Sequence, residues 1–163
     1  LESGLMKLRL DWCDIGDLIS VVLKRLKDEL SGHHVTVSIP EHFPFVRLDF
    51  VLMEQALANI LHNAAMYTPP GTHLRITAQA DDTQCILTIT DNGPGLLPET
   101  LDHLFDKFYR VPGTAAGGTG LGLSITRGFI EAHNGRIFAE NAPDGGAQFV
   151  ILLPLGSVPD YGQ

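Results

Sequence analysis

A run of glycines at the mouth of a helix limits what this chain can become. Leu121 to His133 has helical spacing of apolar residues, yet it is entered through Gly117-Gly118-Thr119-Gly120-Leu121-Gly122-Leu123. Glycine disfavours a helix interior by about 1 kcal/mol relative to alanine, so such a run belongs to a loop that feeds a helix N-terminus. Without β-carbons, main-chain N–H groups there can converge on an anion, and the helix dipole supports it. The plainer alternative is a flexible loop with an N-cap. A dinucleotide fingerprint is excluded, because no strand directly precedes the run and the GxGxxG spacing fails. A Walker A loop is excluded too, since no Gly-Lys-Ser/Thr follows.

Three further pieces lie upstream. An alternating strand, Ile86 to Thr90, ends at Asp91 and leads into Asn92-Gly93-Pro94-Gly95. An ionised carboxylate only accepts hydrogen bonds. Asp91 could therefore take the exocyclic amine of adenine and disfavour guanine, which offers an acceptor there. Asp-Asn-Gly is also ordinary turn chemistry, but Gly93 and Gly95 would let backbone lie against a flat ligand. A helix expected to start at the cap Asp49 and reach Met66 places Phe50, Met53, Leu57, Ile60, Leu61 and Ala64 on one face. Gln55, Asn59, His62, Asn63 and Met66 fall on the other. That face is either solvated or functional; in the second case Asn63 offers an amide oxygen to Mg²⁺, a hard cation that prefers oxygen. Between the two glycine segments, Phe105-Asp106-Lys107-Phe108-Tyr109-Arg110 combines aromatics with two cations suited to phosphate oxygens. Phe105 and Phe108 are expected to hold this stretch against the domain.

The rest of the chain supplies a frame. Its 163 residues suit one domain. The formal net charge of -8 argues against a generic nucleic-acid surface. Cys13 and Cys85 form no CxxC, and the seven His show no HExxH or paired Cys/His spacing. No apolar run approaches the ~20 residues of a membrane span, and no signal peptide is evident. Residues 1–12 are expected to be the end of an upstream helix plus a linker, 13–155 the domain and 156–163 a frayed tail. A helix is expected from the cap Asp14 to about Leu30, strands at Val35 to Ile39, Phe45 to Leu48, Leu74 to Ala78, Ile86 to Thr90, Arg136 to Glu140 and Ala147 to Leu153, and a short helix at Pro98 to Leu104. The expected fold is α/β: a two-layer sandwich with a mixed sheet of about five strands, three main helices on one face and a nucleotide lid between Gly93 and Gly122. About Val111 to Gly118 of that lid is expected to be mobile without nucleotide.

Taken together, these segments resemble the catalytic ATP-binding domain of sensor histidine kinases, in the superfamily shared with DNA gyrase, Hsp90 and MutL. The likeness runs from about Leu10 to Pro154. Gln55 to Thr68 matches the family's N box, Asp91 to Gly95 its G1 box, Phe105 to Arg110 its F box and Gly118 to Leu123 its G2 box. The resemblance implies Mg²⁺ at Asn63, with Asn59 beside it. It implies ATP contacts at Asn63, Tyr67, Asp91, Gly93, Gly95, Lys107, Phe108, Gly118, Thr119, Gly120, Leu121, Gly122 and Leu123. Asn59, Asn63, Lys107 and Arg110 would serve transfer of the γ-phosphate. Two departures matter. Met66 stands where the family often has Lys, and Asn59 stands where ATP-hydrolysing relatives carry Glu, so no general base for water is present. No His shows the family's phosphoacceptor pattern. The resemblance therefore implies an upstream dimerisation and phosphoacceptor domain in a homodimeric parent, a response regulator receiver domain as partner, and a cytoplasmic position in a parent anchored in the plasma membrane. A Ser kinase of the anti-sigma-factor type and a non-catalytic ATP-sensing module share the same nucleotide site.

Overall fold

The computed structural model describes residues 7–110 and 122–156. Its centre is a mixed five-stranded sheet. Strands β4 (His73–Ala80) and β5 (Gln84–Asp91) form a hairpin, and β6 (Arg136–Asn141) and β7 (Ala147–Pro154) form another. β7 joins β5 antiparallel, while β2 (His34–Ser38) adds to β4 in parallel, giving the order β2-β4-β5-β7-β6. Period-two alternation decides which face is covered. Leu74, Ile76 and Ala78, then Cys85, Leu87, Ile89 and Asp91, then Phe149, Ile151 and Leu153 are buried on one side. Arg75, Gln79 and Glu140 are exposed on the strands between them.

Three helices bury their apolar residues in the same core: α1 (Ile15–Arg25), α2 (Phe50–Met66) and α4 (Gly122–Ala132); a short α3 (Pro98–His103) follows β5 in the chain. α2 packs between α1 and α4. Its predicted cap is realised, as Asp49 Oδ1 accepts the Leu52 N–H at 3.1 Å. The Asp49 main-chain N–H donates to His133 Nε2 at 2.9 Å, and His133 Nδ1–H donates to the Phe129 carbonyl at 2.8 Å. The end of α4 is thereby tied to the start of α2.

One expectation about the helices needs correction. α1 stops at Arg25, short of Leu30. The Leu26 N–H is shared between the Lys24 and Val22 carbonyls, and the chain continues in turns, with Leu30 N–H bonded to the Leu26 carbonyl at 2.9 Å. Leu26 and Leu30 stay buried, so the apolar spacing was right while the backbone was not helical. Among the described residues, the end of the stretch expected to be a linker pairs with the rest of the chain. Asp11–Cys13 forms a strand, β1, antiparallel to β3 (Val46–Leu48), and the Arg9 N–H reaches Asp49 Oδ2 at 3.0 Å. Among the described residues no helix is long and apolar enough to cross a membrane.

Candidate functional site

Asp91 is the last residue of β5 and only 6% exposed. Its Oδ1 accepts the Gly93 N–H at 2.8 Å and the Ala147 N–H at 3.2 Å. Both donors use the same oxygen, and among the described residues no donor reaches Oδ2. One carboxylate oxygen is thus fixed by main chain while the other keeps its accepting capacity. The turn between β6 and β7 closes in behind it. A β-carbon on Gly146 would lie 1.8 Å from the Asp91 carbonyl oxygen, so only glycine fits. Gly93 sits against the Thr68 methyl: a β-carbon there would come 3.2 Å from Thr68 Cγ2. The buried Thr68 donates to the Ala64 carbonyl at 2.6 Å and pairs with His33 Nε2 at 2.9 Å. Gly95 has φ +81°, which a residue with a side chain adopts only under strain.

Tyr67 caps α2 and turns its ring into the core. Its hydroxyl is buried and has no hydrogen-bond partner among the described residues. Burial first, and then the negative charge of Asp91, push the phenol pKa well above its ordinary value, so the group stays neutral and able to donate. A buried, unpaired hydroxyl is costly unless something else satisfies it.

One and two helical turns earlier, Asn63 and Asn59 are neither buried nor fully exposed. Asn59 Nδ2 donates to the Gly122 carbonyl and to Thr126 Oγ1, both at 3.2 Å. Asn63 Nδ2 donates to the Asn59 carbonyl at 2.8 Å. Both amides spend their nitrogens within the protein, which leaves two amide oxygens, with no donor on either among the described residues. A β-carbon on Gly122 would lie 3.8 Å from Asn63 Nδ2 and 3.9 Å from Asn59 Cγ. The start of α4 therefore faces both asparagines, as an anion-binding helix end beside hard oxygen ligands requires. Leu123 turns its side chain into the core, so its main chain is the part that can meet a ligand.

The 105–110 segment behaves unevenly. Phe105 packs edge-on against Phe149, with ring centroids 6.3 Å apart. Tyr109 donates its hydroxyl to Thr100 at 3.2 Å and lies 5.8 Å from the His103 ring. Phe108 corrects the expectation that it anchors the segment: it is 69% exposed, at φ +65°. Lys107 and Arg110 are exposed. Gly118, Thr119, Gly120 and Leu121, and the lid segment expected to be mobile, lie outside the described residues. The sequence reading missed Thr68 and Thr126 as parts of the site, and the whole contribution of the β6–β7 turn. The one available signal was the paired glycine at 145 and 146, which marks a close backbone approach but not its partner.

Asp91, Tyr67, Asn59, Asn63 and the start of α4 come together as separate boxes of one sequence family would. Residues 48–157 match the family model described as histidine kinase-, DNA gyrase B-, and HSP90-like ATPase. The chain belongs to this family. It is an ATP-binding catalytic domain of the kind found in sensor histidine kinases. It is 35% identical over 161 residues to the sensor protein KdpD of Escherichia coli, covering 98% of this chain and 18% of that protein. The mycobacterial sensor histidine kinase MprB superposes with a TM-score of 0.79 at 29% identity, over 88% of this chain and 97% of that one. A histidine kinase ThkA in complex with its response regulator TrrA shares the fold, with a TM-score of 0.74 at 23% identity, over 90% of this chain and 42% of that one. The chain thus spans less than a fifth of the length of the E. coli relative.

Proposed function

We propose that this domain binds Mg²⁺-ATP and passes its γ-phosphate to a His on an upstream dimerisation and phosphoacceptor domain of the same protein. The observation that carries the reading is the convergence of unspent acceptors and one unspent donor: Asp91 Oδ2, the Asn59 and Asn63 oxygens and the Tyr67 hydroxyl. Asp91 takes the adenine amine. Asn63 supplies an oxygen for Mg²⁺, with Asn59 adding a second one while its nitrogen holds the start of α4. Gly118, Gly120 and Gly122 cradle phosphates, and Lys107 and Arg110 balance charge on the transferring group. Phosphoryl transfer needs mostly positioning and charge stabilisation, and Asn59 in place of a carboxylate disfavours activation of water.

The parent protein is proposed to be a homodimeric kinase anchored in the plasma membrane, this domain being cytoplasmic and its partner the receiver domain of a response regulator. The ThkA complex with TrrA supports that partner class. Similarity to KdpD makes potassium or osmotic sensing the preferred input. One observation favours a second reading, a non-catalytic ATP-sensing module: Met66, where the family often has Lys, is exposed on the polar face of α2 and brings no charge. Transfer of labelled phosphate from ATP to a supplied phosphoacceptor domain separates the two. Transfer supports the kinase; ATP binding without transfer supports the sensing module.

A further inference from the structure

The chain between Asn92 and Leu97 has no helix or strand of its own. Asp91 can read a base only if the main chain next to it holds still. Asn141, the last residue of β6, supplies the restraint from across the sheet. Its Oδ1 accepts the Leu96 N–H at 2.8 Å, and its Nδ2 donates to the Leu96 carbonyl at 2.8 Å. One side-chain amide pairs with both main-chain groups of one residue, as a neighbouring strand would. The same corner is crowded. A β-carbon on Gly95 would meet the Gly145 carbonyl oxygen at 2.6 Å and Asn141 Oδ1 at 3.0 Å. At the other end of the loop, Gly146 and Ala147 hold Asp91 itself. The β6–β7 turn therefore grips the Asp91–Leu96 loop at both ends.

We propose that Asn141 is a positioning residue of the base site, and that it sets the gap between the Asp91 carboxylate and the Gly93–Leu96 main chain. The proposal rests on Asp91 as the adenine acceptor. The side-chain requirement is narrow. Serine is too short to make both bonds, and aspartate offers two acceptors, so one oxygen would face the Leu96 carbonyl.

The test compares wild type with Asn141→Ala and Asn141→Asp by calorimetry with ATP and GTP, with hydrogen exchange at the Leu96 amide and unfolding midpoints alongside. Both bonds lie at the surface, where water competes for them. ATP affinity should therefore fall only roughly three- to ten-fold in Asn141→Ala. GTP affinity should change less, narrowing the preference, while Leu96 exchange accelerates. Asn141→Asp should weaken ATP at least as much. A merely structural role would lower the unfolding midpoint and leave the ATP-to-GTP ratio unchanged. Wild type that binds ATP, with an unchanged ratio in Asn141→Ala or wild-type affinity in Asn141→Asp, overturns the positioning role alone. Wild type that binds no ATP overturns the nucleotide reading and this proposal with it.

Discussion

Asp91 and Phe108 lie on either side of α3 and are held in opposite ways. Asp91 ends a central strand, is nearly buried, and has two main-chain donors on one oxygen. Phe108 is exposed and sits at φ +65°, a backbone region that costs a bulky residue of order 1–3 kcal/mol. The wall around Asp91, proposed to read the base, is held by strand, turn and glycine contacts. On the other side Leu104 and Phe105 pack into the core and Tyr109 bonds to Thr100, while Lys107 and Phe108 face outward. Under the proposed function, the part of the site that reads the base is held by main-chain contacts, and the described cations of the 105–110 segment are exposed.

The strongest way to break this contrast is at Gly146. Adding a methyl group would drive a β-carbon into the Asp91 carbonyl, and main chain on both sides cannot yield cheaply. Gly146→Ala should cost about 3 kcal/mol or more in denaturant unfolding. A loss under about 1 kcal/mol would show that the turn can move away, and the base wall would not be rigid.

Next comes the pair of phenylalanines. Phe105→Ala should destabilise by about 2 kcal/mol, since it removes a half-buried ring from Phe149. Phe108→Ala should stay within about 0.5 kcal/mol. Phe108→Gly should be neutral or stabilising, because glycine relieves the positive φ. Similar losses at both positions would erase the distinction drawn here. A smaller effect is expected at Asn63. Asn63→Ala should remove most of the Mg²⁺ dependence of ATP binding, weakening it about tenfold in Mg²⁺ and leaving Mg²⁺-free binding unchanged. An undiminished response to Mg²⁺ would move the metal elsewhere.

The smallest effect concerns His103. Its hydrogen bond to Asp106, at 2.8 Å, raises its pKa above the ordinary value, opposed in part by desolvation and supported by the charges of Asp106, Asp102 and Glu99. Because the folded value is raised, this contribution is fully present below about pH 6.5. It is lost as pH rises through the folded value. The ring is exposed, so the change in stability should be slight; NMR titration of His103 should show a lower value in Asp106→Asn than in wild type.

Much of the rigid side was legible in the sequence. Asp49 reads as a cap because a carboxylate precedes an apolar helical stripe, and β5 reads from strict alternation, which also put Asp91 at its end. These are local signals. What escaped depended on partners far along the chain. β1 exists only because Val46–Leu48 pairs with it, and Asp-Trp-Cys carries no strand signature of its own. Asn141 meets Leu96 across 45 residues, beyond the reach of any local pattern. Asn59 was readable as a polar residue on a functional face, but not as the tie to Gly122 and Thr126. Phe108 failed for another reason: composition says an aromatic tends to be buried, and only the folded structure shows that this one faces out.

The central claim is that Asp91 divides its two oxygens, one for the scaffold and one for the base. Asp91→Asn tests it most directly, because the amide oxygen can still accept from Gly93 and Ala147 while its nitrogen replaces the free acceptor with a donor. Calorimetry of ATP binding, paired with denaturant unfolding, reads both halves. ATP affinity should fall roughly ten- to hundred-fold, the worth of a hydrogen bond to a charged group, with unfolding free energy changed by less than about 1 kcal/mol. Wild-type ATP affinity in the variant, or a loss of binding matched by an equal loss of stability, would contradict the division and leave Asp91 as part of the turn alone.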